Sequence, residues 1–203
     1  MGLEKRHFDS NDFSVLQEAL RIAEDRVTDY YKLSNRQWVR HPFEVVTGKA
    51  QILWEEAPHA FAVLRKARPL CEGYSIRGSL RELYLICLQD HIILSALMRD
   101  PKLYLFPLLL YIFTHELIHI IRFESYEQLF YLGPEKRGQE ETVVHGLTSR
   151  VLKGVPCKGI QYVIDCYGNS SHDFNDYEEV CDANLRVSVL QLQRDYRGMA
   201  EVF

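Results

Sequence analysis

The most apolar stretch of the chain, residues 103–121, contains two histidines and a glutamate near its end. The uncharged part of this stretch is interrupted by Pro107 and stops at His115. It is therefore shorter than the roughly 20 residues that a helix needs to cross a bilayer. A helix buried in a protein core is the interpretation we favour. Such a helix must give its ionisable side chains partners, because burying them alone is costly.

Those side chains belong to the sequence His115-Glu116-Leu117-Ile118-His119. Residues four positions apart lie on one face of a helix, so the two imidazoles can bind the same metal ion. The sequence resembles the H-E-x-x-H motif of zinc metallopeptidases. That resemblance implies that His115 and His119 bind Zn²⁺. It also implies that Glu116 is the general base that activates a metal-bound water to hydrolyse a peptide bond.

A catalytic zinc site usually has a third protein ligand. A histidine six residues after the motif, as in metzincins, is excluded because Ser125 is there and Arg122 occupies the preceding glycine position. The chain instead resembles the gluzincins, in which a downstream helix supplies a glutamate. Glu141, 22 residues after His119, matches that ligand best.

Two other residues stay open as the third ligand. In gluzincins an Asp or Asn that supports a ligand histidine follows the glutamate by four positions, and this chain has His145 there. His145 either hydrogen-bonds a ligand or is the third ligand itself. Glu140 is the remaining alternative, although its neighbour four residues later is the apolar Val144.

The same mechanism needs a group that stabilises the negatively charged oxygen of the transition state. In related enzymes this group is a histidine or a tyrosine. The candidates in the last third of the chain are Tyr162, His172 and Tyr177.

The hydrophobic pattern predicts a mainly α or α+β fold, expected to be a zincin-like domain with a small β element. One domain over residues 1–203 is expected, with a zinc-site core at 80–152 between helical regions at 1–70 and 153–203. Leu83–Leu88 is either a buried strand, similar to the substrate-binding edge strand of zincins, or the start of a helix running to Met98. Residues 159–165 alternate weakly, as a strand does. Helices are predicted at 11–31, 49–68, about 107–129, 139–152 and 176–194.

Composition limits the possible partners. The 24 basic and 28 acidic residues are well mixed, and no basic stripe indicates a nucleic-acid partner. Five scattered cysteines and no apolar segment near residue 1 predict a cytoplasmic protein with reduced thiols. We expect a peptide or protein substrate and no transmembrane span. Peripheral membrane contact and the oligomeric state stay open.

Three functions are compatible with these features. The first is peptide hydrolysis at a zinc site. The second is a zinc-binding regulatory or structural protein of the same fold without proteolytic activity, which a fourth protein ligand would favour. The third is a helical scaffold in which the histidines are hydrogen-bonded core residues and no metal binds.

Overall fold

A computed structural model of the protein describes residues 6–34, 38, 42–48, 60–67, 83–125, 134–168 and 178–180. These residues form a mainly helical α+β structure with a small sheet, as the coarse fold class predicted. The helices are α1 (Ser10–Tyr31), α2 (Asp90–Arg99), α3 (Leu105–Glu124), α4 (Pro134–Leu152) and α5 (Ile160–Tyr167). The strands are β1 (Phe43–Val46), β2 (Ala62–Ala67), β3 (Leu83–Leu88) and β4 (Glu178–Val180).

Helix α3 is the centre of the structure, and α1, α4 and α5 all pack against it. Its Pro107 lies in the first turn, where the missing N–H would have no helical partner anyway. Every described side chain from residue 107 to 121 is buried. Among the described residues, α3 is the one helix long and apolar enough to cross a membrane, but 83% of that window is buried inside the protein. It therefore has the burial of a core helix.

Helix α1 covers one side of α3. Asp9 accepts hydrogen bonds from the backbone N–H groups of Asn11 and Asp12, and the Asp12 carboxylate accepts one from the Asp9 N–H. This reciprocal cap fixes the start of the helix. Its buried face consists of Leu16, Ala19, Ala23 and Val27, which recur at helical spacing.

The sheet has the strand order β1-β3-β2-β4. Strand β3 runs parallel to β1 and antiparallel to β2, while β4 runs parallel to β2. Because side chains alternate along a strand, Tyr84 and Ile86 join the main core while Leu85 and Cys87 join a second cluster. Tyr84 stacks on Phe123 of α3, with ring centroids 6.2 Å apart.

The sequence allowed either a strand at Leu83–Leu88 or a helix running on to Met98, and each alternative is partly right. The strand at Leu83–Leu88 is confirmed, and a separate helix, α2, begins two residues later. The likeness to a substrate-binding edge strand is wrong, because β3 is hydrogen-bonded to a neighbour on both sides. Its backbone is therefore not available to pair with a substrate.

Several other predicted elements are wrong. Residues 62–67 are a strand rather than a helix, and 43–46 form a strand within the predicted connection. Both pair with β3, and pairing across a sheet outweighs local preference. Residues 160–167 are helical because Ile160 and Val163 pack together into the core at helical spacing. Residues 178–180 are a strand within the predicted last helix, whereas 49–59 and 181–194 lie outside the described residues.

A buried carboxylate joins the N-terminal segment to the sheet and to α2. Asp90 accepts hydrogen bonds from the backbone N–H of Phe8 at 3.2 Å and of Gly48 at 2.9 Å. The Nδ1 atom of His7 lies 3.5 Å from the same carboxylate. A Cβ atom at Gly48 would lie only 2.9 Å from that nitrogen, so a side chain there would disturb the junction.

Replacing Asp90 with alanine should lower the free energy of unfolding by about 2–4 kcal/mol, because two buried N–H groups lose their acceptor. Urea denaturation measures this change. The control is Asp25→Ala, which removes an exposed carboxylate paired with Arg21 and should cost less than about 1 kcal/mol. Equal costs for the two variants would contradict a structural role for Asp90.

Candidate metal centre

Helices α3 and α4 lie antiparallel and bring their ionisable residues together. Arg122 contacts Glu140, His115 contacts Glu141, and Tyr111 contacts His145. Residue numbers thus fall along α3 as they rise along α4. The antiparallel packing places the H-E-x-x-H motif opposite the segment in which the sequence predicted the third ligand.

One face of α3 carries a row of aromatic rings spaced four residues apart. The ring centroids of Tyr111 and His115 are 6.3 Å apart, and those of His115 and His119 are 4.7 Å apart. Phe123 continues the row at 5.8 Å from His119. The His145 ring of α4 lies 4.5 Å from the His115 ring. The two motif histidines therefore share one face, as their spacing predicted.

Three potential ligand side chains, those of His115, His119 and Glu141, form a small triangle. The Nε2 atoms of His115 and His119 are 3.1 Å apart. A Glu141 carboxylate oxygen lies 3.2 Å from the His115 nitrogen, and the other oxygen lies 3.4 Å from the His119 nitrogen. Both histidines are completely buried, and Glu141 is buried apart from a small exposed edge. The third-ligand candidate that the sequence favoured is therefore in contact with both histidines.

Hydrogen bonding alone does not account for this triangle while Glu141 is ionised. Each Nε2 atom either carries a hydrogen or presents a lone pair. With hydrogens on both nitrogens, the two N–H groups point at each other. With a hydrogen on only one, the lone pair of the other nitrogen faces the carboxylate. A cation bound by all three side chains makes every contact favourable.

The triangle also has the dimensions of a zinc site. Zn–N and Zn–O distances of about 2.0–2.2 Å in a tetrahedron separate the ligand atoms by about 3.3–3.6 Å. The observed separations of 3.1, 3.2 and 3.4 Å are close to that range. Two imidazoles and a carboxylate are ligands that zinc accepts. The residues present therefore fit this metal.

The protonation states favour a cation. Burial alone would raise the pKa of Glu141, but electrostatic attraction to His119 and hydrogen bonds from His115 and His119 hold it well below its usual range. Burial lowers the pKa of His115, which keeps its imidazole neutral. Burial and the neighbouring His115 lower the pKa of His145 to about 3. Neutral imidazoles beside a carboxylate are the forms that bind metals.

Glu116 directly follows His115 in the sequence and is completely buried. Burial, and then the negative charge of Glu141, raise the pKa of Glu116 well above its usual range. A bound dication would oppose this shift, since a metal is the largest charge in such a site.

The two alternative third ligands occupy different positions. Glu140 accepts hydrogen bonds from the Arg122 guanidinium, with one N–O distance of 3.1 Å, and so makes an ion pair beside the triangle. A ring nitrogen of His145 lies within 4.8 Å of ligand atoms of both His115 and Glu141. His145 therefore belongs to the cluster, together with its hydrogen-bond partner Tyr111.

The candidates for the oxyanion-stabilising group are not brought to the cluster by the described structure. Tyr162 donates a hydrogen bond to the Asp100 carboxylate at 2.5 Å, at the end of α2. His172 and Tyr177 lie outside the described residues.

Sequence reasoning missed Tyr111. Its hydroxyl lies 2.7 Å from Nδ1 of His145, and both side chains are buried. Its position four residues before His115 places it on the same helix face and could have identified it. It was not singled out because it lies within a run of apolar residues, where a tyrosine is usually a core residue.

Comparison with known proteins gives no relative: no family model, curated protein or solved structure matches this chain.

The purified chain should bind about one Zn²⁺, measured by mass spectrometry after dialysis. At a free zinc concentration of 100 times the dissociation constant, binding adds about 2.7 kcal/mol of stability. This should raise the melting temperature by about 5–10 °C in a chain of this size. His119→Ala should lose both effects, and His91→Ala in α2 is the control. Zinc binding that survives in His119→Ala would contradict this site.

The Arg122–Glu140 ion pair should support the site without binding metal, because it fixes α4 next to Glu141. Arg122→Ala and Glu140→Ala should each lower zinc affinity by about 10- to 100-fold, as losses of supporting groups do. The charge exchange Arg122→Glu with Glu140→Arg should recover part of that affinity. If Glu140→Ala alone abolished zinc binding while Arg122→Ala bound normally, Glu140 would be the ligand instead.

Proposed function

We propose that this protein is a zinc-dependent peptidase of the gluzincin type. The observation that supports this most is the triangle of Glu141 with the two histidines of an H-E-x-x-H sequence. Two imidazoles and a glutamate from a downstream helix are the ligand set that gluzincins use. In the proposal His115, His119 and Glu141 hold the metal.

The chemistry is divided between the metal and Glu116. Zn²⁺, when bound, lowers the pKa of a coordinated water and polarises the carbonyl of the peptide bond. Glu116 accepts the proton of the attacking water and passes it to the leaving amine. The assignment rests on its position directly after His115 in the H-E-x-x-H sequence, where the general base of such peptidases lies.

A second function is favoured by the burial of the site. Both motif histidines are fully covered, and only about 12% of the Glu141 side chain is exposed. A covered metal is typical of structural zinc sites, which are closed by protein. The second candidate is therefore a zinc-binding regulatory or structural protein that does not cleave peptides.

Glu116→Gln distinguishes the two functions. This variant should keep about one Zn²⁺ per chain and lose about 100- to 10,000-fold in kcat, the usual contribution of a general base. Activity is measured on a library of internally quenched fluorescent peptides. The matched control is Glu24→Gln, because Glu24 is a half-buried glutamate of α1 whose pKa burial raises to about 7.

The outcomes separate the candidates. Turnover by the parent and by Glu24→Gln, but not by Glu116→Gln, is expected for the peptidase. A Glu116→Gln variant that cleaves at the parent rate would refute the mechanism. Stoichiometric zinc with no cleavage of any library peptide by the parent would favour the regulatory or structural protein.

A further inference from the structure

The hydrogen-bonded pair of Tyr111 and His145 has no role in the chemistry assigned to Glu116. Tyr111 is completely buried and His145 is 2% exposed. They come from different helices and are 34 residues apart in sequence. Buried polar pairs at this depth must satisfy each other, and this one borders the ligand triangle.

The chemistry of the two groups indicates where the hydrogens lie. The phenol of Tyr111 keeps its hydrogen at neutral pH, because the pKa of a phenol is ordinarily about 10. A phenol O–H is a strong donor, and a bare imidazole nitrogen is a stronger acceptor than a phenol oxygen. Tyr111 therefore donates to Nδ1 of His145 across the 2.7 Å contact. A neutral His145 then carries its own hydrogen on Nε2.

This tautomer makes His145 a donor rather than a metal ligand. A nitrogen that binds a metal must present a lone pair, and Tyr111 occupies the lone pair of Nδ1. The His145 ring nevertheless stays next to the site, with a nitrogen within 4.8 Å of ligand atoms of His115 and Glu141. A substrate oxygen that came into contact with these ligand atoms would therefore also lie close to the His145 ring.

We propose that His145 is the hydrogen-bond donor that stabilises the carbonyl oxygen of a peptide substrate as negative charge develops on it, and that Tyr111 holds His145 in the required tautomer. This inference rests on the proposed peptidase function. The Nε2 hydrogen stays on His145 throughout, so no bond to the imidazole forms or breaks. Donors of this kind contribute most when they are fixed before the reaction and shielded from water.

The tautomer can be measured without any turnover. In zinc-loaded protein with ¹⁵N-labelled histidine, NMR should show His145 protonated on Nε2 and not on Nδ1. The His145→Gln variant assigns the signal. Tyr111→Phe should shift His145 towards a mixture of tautomers. A deprotonated Nε2 with the shift of a metal-bound nitrogen would overturn the inference, because His145 would then be a ligand.

Measuring kinetics and zinc affinity together shows whether His145 acts as a donor to the substrate or only holds the ligand Glu141 in place. His145→Ala should lower kcat by about 100- to 1,000-fold and leave KM and the zinc dissociation constant within about threefold of the parent. His145→Gln, which keeps an N–H donor, should recover part of kcat. Tyr111→Phe should give a smaller loss, and Tyr30→Phe, an exposed tyrosine of α1, is the control.

Two kinetic results would overturn the inference. One is a zinc affinity that falls in His145→Ala in proportion to kcat, which assigns His145 to support of the metal site. The other is full activity in His145→Ala, which would show that no donor at this position contributes to the reaction. A parent protein that cleaves no peptide would refute the proposed function instead, and the NMR experiment would still decide between donor and ligand.

Discussion

The burial of ionisable side chains between α3 and α4 is the constraint on which the rest of the structure depends. His115, Glu116, His119 and Glu141 all lie in a region from which water is largely excluded. Charges in such a region are costly unless partners compensate them, and a carboxylate beside two imidazole nitrogens is compensated most fully by a cation. The rest of the fold supports this region, because α1, α5 and the sheet enclose α3.

Three kinds of polar contact follow one another along the α3–α4 interface. At one end the Arg122–Glu140 ion pair joins the two helices. In the middle lies the ligand triangle. At the other end Tyr111 and His145 form a neutral pair. In the proposed function, the metal would have the ion pair on one side and the His145 donor on the other.

The sequence predicted those parts of the structure in which local spacing determines the outcome. Helix α1 and the relative placement of His115 and His119 follow from the helical period, and Glu141 followed from resemblance to gluzincins. Adjacent residues point about 100° apart around a helix, so Glu140 meets Arg122 while Glu141 meets the histidines. The pairing of Tyr111 with His145 depends on packing between two helices, which no local pattern encodes. The strands at 43–46 and 62–67 were missed for the same reason, because both depend on pairing with β3.

Zinc X-ray absorption spectroscopy of the metal-loaded protein tests the central claim most directly. If two imidazoles and a carboxylate of this chain bind the zinc, its first coordination shell should contain nitrogen and oxygen atoms at about 2.0–2.2 Å. The spectrum should show imidazole scattering and no sulfur. His119→Ala should lose that spectrum. A shell that contains sulfur at about 2.3 Å would place the metal on cysteines. A sulfur shell, or a protein that takes up no zinc, would contradict the metal site on which the proposed function rests.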